Sequence, residues 1–311
     1  RIYAEDPYKE FQPCAGLLSK VSFPLAGDTI EASSIGTRLR VDHWIDSGLE
    51  VSPYYDPMLG KMIVFAGSRE EALASLRHNL AATTIYGIET NLDYLQALLA
   101  AEPMTEGRYF TNTLAHFHFE KFALEVLSPG TMTTVQDFPG RCGYWDVGVP
   151  PSGPFDSRSF RLGNQLLRNP ADAAGLEMTL SGPTLRFLSD TRIVLTGAHM
   201  SAELDGEEVS FWSVLKIRAG QQLAIGKISS SGSRAYLLIQ GGIQCPTYLQ
   251  SRSTFTLGQF GGHAGRALRS GDVLHFQPYK PTGDLPMSVV PGALLPKITN
   301  HWSLRVIPGP H

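Results

Sequence analysis

From Phe122 onward, short runs of β-forming residues alternate with turns marked by glycine, and this pattern restricts the folds that the chain can adopt. Asp205-Gly206, between a polar and an apolar run, is a typical hairpin signal. So many short strands need their edges paired or covered, which favours a closed or nearly closed barrel. One helix interrupts them, beginning at Asp156 or Ser157 and ending at Asn169-Pro170. The predicted strands include residues 192–196, 215–217, 222–225, 235–240, 273–276 and 303–307.

The first part of the chain has a different pattern, in which helices follow strands. Its predicted strands are residues 30–32, 37–41 and 61–65. Ser68 is a candidate N-cap with Glu71 at the capping-box position, and leucines recur after it at helical spacing. Thr90 precedes a second leucine stripe, which ends before Pro103. We therefore predict an α+β subdomain followed by a mostly β domain.

Charge and cysteine content exclude several classes of protein. A net charge of -3 provides no basic excess for binding nucleic acid or an anionic membrane surface. No apolar run approaches the roughly 18–20 residues that span a bilayer. The three cysteines are far apart, which indicates neither a disulfide framework nor structural zinc, and His116 and His118 have no third ligand near them in sequence. We expect a cytoplasmic protein without a metal site and without nucleic-acid or membrane partners.

Five linked motifs resemble the C-terminal subdomain of biotin carboxylases, over residues 1–118. In that family, the Arg of the first motif holds the ureido oxygen of biotin as it gains negative charge. A guanidinium suits this role because it stabilises the charge without itself titrating. The resemblance puts this residue at Arg1 and places Asp56 near the same pocket, although Asp56-Pro57 could also form only a turn. The motifs are residues 1–7, 11–16, 40–42, 54–61 and 87–91.

Residues 122–311 resemble the subunit 2 family named for allophanate hydrolase, which includes the carboxyltransferase domain of urea carboxylase. The resemblance implies a cyclophilin-like β-barrel, in agreement with the β-rich pattern. Gln250 stands where the family has Gly, which leaves open the backbone angle at that position. The motifs that carry the resemblance include residues 133–137, 140–144, 148–156, 175–183, 197–198, 241–243, 249–254 and 265–266.

Moving a carboxyl group from biotin to an amide nitrogen makes three chemical demands. The carboxylate unit needs backbone NH groups or an arginine, an uncharged amide needs donors and acceptors, and a carboxylate or tyrosine must take a proton. We expect Arg252, with Ser253 and Thr254, to contact the carboxylate or biotin. The candidate catalytic residues here are Arg141, Asp156, Glu177 and Arg252, and the candidate substrate-binding residues are Asn164, Thr179, Ser253 and Thr254.

Three of these candidates also have purely structural interpretations. Asp156 could be only a helix N-cap. Glu177 could form a cross-strand ion pair with Arg186. Arg141 could satisfy the carbonyl groups of turns. The sequence alone leaves these alternatives open.

The two resemblances follow each other in the order of the urea carboxylase family. They imply an enzyme that carboxylates biotin with ATP, Mg²⁺ and bicarbonate and then carboxylates urea to allophanate. The sequence has no Gly-rich phosphate loop and no biotin-attachment motif, so we expect ATP, Mg²⁺ and the biotin carrier domain to belong to regions outside this chain. We also expect a truncated excerpt that is inactive alone.

Two alternatives remain at this point. The chain could be a non-catalytic module that binds a small ligand, or part of a carboxylase acting on guanidine or another small amide. Assembly into a homo-oligomer is also left open.

Overall fold

The computed structural model describes residues 1–24, 37–278, 289–307 and 309, and the chain divides into two compact units, Arg1–Lys121 and Phe122–His311. The strand predicted at residues 30–32 lies outside the described residues. None of the helices in the described ranges has the length and apolar character needed to cross a membrane.

Unit 1, residues 1–121, combines short strands with three α-helices in its described residues. The strands are β1 Ile2–Tyr3, β2 Glu5–Asp6, β3 Gln12–Pro13, β4 Gly16–Leu17, β5 Lys20–Ser22, β6 Arg38–His43, β7 Glu50–Val51, β8 Met58–Phe65 and β9 Thr84–Tyr86. The α-helices are α1 Arg69–Ala82, α2 Leu92–Ala100 and α3 Glu102–Thr105. Strands β1, β8 and β6 form an antiparallel sheet in that order, and the remaining strands form the pairs β2–β3, β4–β7 and β5–β9.

The start of α1 follows from its local sequence. The Ser68 hydroxyl accepts a hydrogen bond from the Glu71 backbone N–H at 3.2 Å, which satisfies one of the free amides of the first turn. Apolar side chains of α1, α2 and β8 then pack in one core, which includes Leu59, Leu80 and Leu99. The α+β character predicted for this unit is thus present in the structure.

Unit 2, residues 122–311, is mostly β. Its strands are β10 Ala123–Ser128, β11 Met132–Gln136, β12 Gly175–Thr179, β13 Thr184–Phe187, β14 Thr191–Gly197, β15 Met200–Leu204, β16 Glu207–Glu208, β17 Val214–Ile217, β18 Gln222–Ile228, β19 Arg234–Ile239, β20 Ile243–Gln244 and β21 Val273–Phe276. They form a seven-stranded sheet in the order β16-β15-β18-β13-β10-β21-β20 and a five-stranded sheet in the order β11-β12-β19-β14-β17. The α-helix among the described residues of this unit is α4 Ser157–Leu166.

The two sheets of unit 2 share one apolar core, to which Val126 and Leu185 of the larger sheet and Leu176 and Leu237 of the smaller sheet contribute. The mostly β prediction is confirmed. The described strands fall into these two sheets, so the closed barrel stays a prediction. The strand predicted at residues 303–307 is wrong, because the segment forms no strand and its apolar side chains, such as Leu304 at 86%, remain exposed.

Candidate functional site

One face of the five-stranded sheet carries a row of polar side chains. Thr134 of β11 lies opposite Glu177 of β12, which in turn lies opposite Tyr236 of β19. Cross-strand partners point to the same face of a sheet, and so do residues two apart, which adds Gln136 to the row. The residues between them on each strand, Val135, Leu176, Met178 and Leu237, point to the opposite face and are buried in the shared core. The alternation of the sequence therefore fixes which face is polar.

The Glu177 carboxylate gathers three groups around it. Its Oε2 accepts hydrogen bonds from the Phe155 backbone N–H at 2.7 Å and from the Tyr236 hydroxyl at 3.0 Å. Its Oε1 lies 3.4 Å from Arg234 Nε, which is an ion pair without an aligned hydrogen bond. The Arg234 guanidinium also lies over the exposed Phe155 ring. We call Phe155, Glu177, Arg234 and Tyr236 the Glu177 cluster.

The predicted alternative of a Glu177–Arg186 ion pair is wrong. Arg186 of β13 instead pairs with Glu125, its partner across the antiparallel β10–β13 ladder of the seven-stranded sheet. Glu177 belongs to the other sheet, where Arg234 is the cation within reach.

Tyr236 is a neutral hydrogen-bond donor in this cluster. Burial, followed by the nearby Glu177 carboxylate, raises the pKa of the Tyr236 phenol well above its ordinary value. The phenol oxygen accepts a hydrogen bond from the Asp156 backbone N–H at 2.7 Å, and the phenol O–H donates one to Glu177. The phenol therefore stays protonated and fixes the Glu177 carboxylate next to the start of α4.

Asp156 and Asn164 both have structural partners. Asp156 caps α4, since its Oδ1 accepts from Ser159 N at 3.0 Å and its Oδ2 accepts the Ser159 hydroxyl. The buried Asn164 amide donates to the Ala173 carbonyl at 3.1 Å, and its oxygen accepts from Asn169 at 2.8 Å. These contacts correspond to the capping alternative for Asp156 and occupy the Asn164 amide within the fold.

A second polar group surrounds Asp137, which directly follows β11. The buried carboxylate accepts hydrogen bonds from the Ser251 and Ser253 hydroxyls, each at 2.6 Å, and from the Arg252 backbone N–H at 2.7 Å. We call residues 248–254 the Arg252 loop. Asp137 thus holds this loop at three consecutive residues.

Arg141 holds the same loop through its carbonyl groups. The fully buried guanidinium donates from Nε to Tyr248 O at 3.1 Å and from Nη2 to Ser253 O at 2.5 Å, and it stacks on the Phe260 ring at 4.9 Å. Burial lowers the pKa of Arg141, and the nearby Asp137 carboxylate opposes this shift. These contacts agree with the alternative in which Arg141 satisfies main-chain carbonyls.

Within the Arg252 loop, the Arg252 side chain differs from its neighbours. The Ser253 hydroxyl is engaged by Asp137, and the Thr254 hydroxyl donates to Val135 O at 2.9 Å. The Arg252 side chain is half-buried and has no hydrogen bond or ion pair with any other part of the chain that the structure describes. Burial raises the pKa of the nearby Cys245 thiol to about 12, and the positive charge of Arg252 opposes this rise. Arg252 is therefore the cation of this loop that is available to a ligand.

Gln136 joins the two groups. Its Oε1 accepts the Gly153 backbone N–H at 3.0 Å, in the segment that leads to Phe155. Its Nε2 donates to Thr134 Oγ1 at 3.0 Å and to Thr254 O at 3.4 Å. One side-chain amide thus connects the Glu177 cluster to the Arg252 loop. The two connected groups offer a carboxylate, a neutral phenol and an available guanidinium, which are the groups that a ligand with both a carboxylate and N–H groups requires.

The remaining candidates are Thr179 in unit 2 and Arg1 and Asp56 in unit 1. Thr179 lies at the end of β12, opposite Arg234. In unit 1, Arg1 is exposed and its carbonyl accepts from Asn91 at 3.3 Å. The exposed Asp56 accepts the Met58 backbone N–H at 2.8 Å, as a turn residue does, and its charge contributes, after burial, to the raised pKa of Glu5. Asp56 and Glu5 are therefore neighbours in unit 1.

Sequence reasoning missed Asp137, Arg234 and Tyr236 as site residues. Asp137 lies in the motif of residues 133–137, but its partner Ser251 lies 114 positions away, so no local pattern connects them. The alternation along β11, β12 and β19 was the one available signal for Tyr236, and only the strand register makes it interpretable.

Two family models match the chain. The carboxyltransferase domain, subdomain A and B, matches residues 147–311, and the biotin carboxylase C-terminal domain matches residues 1–116. The order of the two matches confirms the order of the two resemblances seen in the sequence.

Similar proteins extend over the whole chain. Urea amidolyase of Saccharomyces cerevisiae is 42% identical over 316 residues, covering 100% of this chain and 16% of that protein. A putative urea carboxylase of Emericella nidulans is 39% identical, again over 100% of this chain and 24% of that protein. The crystal structure of the Kluyveromyces lactis urea carboxylase is 41% identical with a TM-score of 0.81, over 96% of this chain and 26% of that one. This chain therefore spans about a quarter or less of the length of these relatives.

Proposed function

This chain belongs to the family of the carboxyltransferase domain, subdomain A and B, and from that premise we propose that unit 2 transfers a carboxyl group from biotin to urea. The full-length protein would carboxylate biotin with ATP and bicarbonate and release allophanate. The relatives named urea amidolyase and urea carboxylase support this substrate. The observation that carries the proposal is the hydrogen-bonded link that Gln136 makes between the segment leading to the Glu177 cluster and the backbone of the Arg252 loop.

The proposed roles follow from the contacts of each side chain. Arg252 binds the carboxyl group that is transferred, because its guanidinium has no competing partner in the described part of the chain. Glu177 accepts an N–H of the urea and takes the proton that the attacking nitrogen loses as the bond from biotin nitrogen to the carboxyl carbon breaks, and this proton then returns to the released biotin nitrogen. Tyr236 keeps Glu177 oriented, since the phenol donates to the same carboxylate at 3.0 Å. Asp156 and Asn164 support this site through α4.

Unit 1 is proposed to contribute to biotin carboxylation. Biotin supplies a ureido nitrogen that carries the carboxyl group, and a fixed cation favours the negative charge on its ureido oxygen. Arg1 would supply that cation once biotin holds its exposed side chain, and the exposed Asp56 lies in the same unit. The biotin carrier domain, ATP and Mg²⁺ are proposed to act together with this chain.

We also propose that the two sheets of unit 2 are the two sides of a cyclophilin-like barrel. The support is the single apolar core that both sheets share, with β10 and β13 on one side and β12 and β19 on the other.

Arg252→Ala in the full-length protein tests the proposed function. We expect urea-dependent ATP cleavage to fall by about 100-fold or more, as when a single donor to a developing charge is removed, while ATP cleavage driven by free biotin continues. Arg218→Ala, at an exposed position on the same unit, is the matched control and should retain full activity. Urea-dependent and biotin-dependent release of ADP are measured separately.

Two outcomes would contradict the proposal. Loss of both reactions in a folded Arg252→Ala protein would remove Arg252 from the transfer step. A wild-type protein that binds urea in calorimetry but never couples it to ATP cleavage would favour the non-catalytic ligand-binding module.

A further inference from the structure

Asp137 is a buried carboxylate whose hydrogen-bond donors come from one short segment. Asp137 is only 5% exposed. Its two carboxylate oxygens accept hydrogen bonds from the Ser251 hydroxyl, the Arg252 backbone N–H and the Ser253 hydroxyl. In addition, the Ser253 hydroxyl lies 3.0 Å from the Asp137 backbone N, which donates to it. The contacts therefore run along the chain through the residue that carries the available guanidinium.

A carboxylate is unfavourable in this position unless its partners are firmly held. Removing a charged carboxylate from water is costly, and the cost is offset only when hydrogen bonds and opposite charge replace the lost hydration. The donors of the Arg252 loop and the nearby Arg141 charge supply that compensation. The same contacts consequently restrict the loop far more than a surface turn would be restricted.

Arg141 restricts the loop from its other side. Its guanidinium binds the carbonyls of Tyr248 and Ser253, whereas Asp137 binds N–H and O–H groups between them. Leu249 and Gln250, within this span, adopt left-handed angles of φ 50° and 63°. Such angles are unfavourable for both residue types, so the surrounding contacts impose the loop conformation.

We propose that Asp137 is a positioning residue for Arg252. By fixing the backbone N–H of Arg252, the carboxylate sets the direction in which the guanidinium leaves the loop. Asp137 acts through Arg252 and not on the substrate, because the residue is buried and both of its oxygens accept hydrogen bonds from the loop. This inference rests on the proposed role of Arg252 in binding the transferred carboxyl group.

The test is a double-mutant cycle in the full-length protein, with Asp137→Asn, Arg252→Lys and the two together. Asn preserves the shape but replaces one acceptor oxygen by an NH₂ group, so one loop contact is lost. Lysine keeps a positive charge on a flexible stem, whose placement depends less on the backbone direction than that of a guanidinium. We expect Asp137→Asn to lower kcat/KM for urea by about 10- to 100-fold when Arg252 is present and by less than about 3-fold in the Arg252→Lys background.

The outcomes separate the inference from the proposed function. Equal losses from Asp137→Asn in both backgrounds would show a general structural role and overturn the inference. If the Arg252→Lys variant and the Arg252→Ala variant each had wild-type activity, the proposed function would instead be overturned. Arg218→Ala again serves as the control for an exposed arginine on the same unit.

Ser251→Ala keeps the inference testable if Asp137→Asn does not fold. It removes the hydroxyl that donates to Asp137 Oδ1 and accepts from the Ser253 backbone N–H, and it leaves the Arg252 N–H on Oδ2. We expect a loss of about 3- to 10-fold in kcat/KM when Arg252 is present and a smaller loss in the Arg252→Lys background. Circular dichroism and thermal unfolding establish that each variant compared is folded, and an equal loss in both backgrounds again overturns the inference.

Discussion

Gln250 adopts a backbone angle that glycine favours. Its φ is 63°, and the preceding Leu249 has a φ of 50°. For an L-residue with a side chain this region costs roughly 1–2 kcal/mol, whereas glycine enters it freely. Gln250 therefore adopts the backbone angle expected for the Gly that stands here in the similar family, although glutamine is less suited to that angle.

Gln250→Gly should stabilise unit 2. Relief of the left-handed angle outweighs the greater freedom that glycine gives the unfolded chain, with a net gain of about 0.5–1 kcal/mol in the free energy of unfolding. Because Gln250 is exposed, its side chain loses little packing. Gln250→Ala is the control and should bring no gain, since alanine has the same unfavourable angle. Denaturant unfolding measures both variants, and a gain with Ala would refute the explanation.

At the scale of elements, Gly261 allows the segment after the Arg252 loop to pass close to it. A Cβ at Gly261 would lie 2.1 Å from Ser253 O and 2.5 Å from Arg141 Nη2. Both atoms belong to the contact by which Arg141 holds the loop. The close approach therefore depends on the absence of a side chain at this position.

Gly261→Ala should destabilise unit 2 more than a glycine substitution of similar geometry. Gly220 also has a left-handed angle, φ 88° against 72° at Gly261, but a Cβ there meets nothing within 4 Å. Gly220→Ala thus measures the cost of the angle alone. We expect Gly261→Ala to cost about 1–3 kcal/mol more, as overpacking does, in denaturant unfolding. Equal costs would mean that the loop shifts freely.

Elements with local signals were predictable, and contacts between distant elements were not. The Ser68 cap and the helix that begins after Asp156 depend on residues three positions apart, so the sequence displays them directly. The hydrogen bonds between Asp137 and residues 251–253 depend on how β11 and the Arg252 loop pack. Similarly, Glu177 was a candidate from its motif, but its ion-pair partner followed from which sheet its strand joins.

At the scale of the whole molecule, each unit has a core of its own, and unit 1 also contains a buried ion cluster. Lys121 Nζ lies 2.9 Å from Asp6 Oδ1 and 2.5 Å from Glu89 Oε2, with the lysine side chain 2% exposed. Burial opposes the charge of Lys121, but Glu89 and Asp6 outweigh it and raise the pKa above the ordinary 10.5. The last residue of unit 1 is thereby fixed to β2 and to the segment before α2.

Lys121→Met should destabilise unit 1 by about 3–5 kcal/mol at neutral pH, because two buried carboxylates lose their cation. Lys20→Met, at an exposed position on β5, is the control and should have little effect. Hydrogen exchange, followed separately in peptides of each unit, should show the loss in residues 1–121. Unchanged exchange in those peptides would contradict the prediction.

The pH dependence of this effect has a definite sign. Since folding raises the Lys121 pKa, the stabilisation is complete below the unfolded value near 10.5 and is lost as pH rises through the folded value. The difference between wild type and Lys121→Met should therefore be constant around neutral pH and shrink above about 10.5. A difference that grows in that range would contradict the ion-pair explanation.

The amide of Gln136 has a thermodynamic consequence for the site. Because it bonds at once to Gly153 N and Thr254 O, displacement of either segment changes the free energy of the other. Such coupling is reciprocal, so a ligand that binds the Arg252 loop changes the affinity at the Glu177 cluster by the same factor as the reverse. In the proposed reaction, binding of the carboxyl donor and binding of the acceptor would then be coupled through one uncharged side chain.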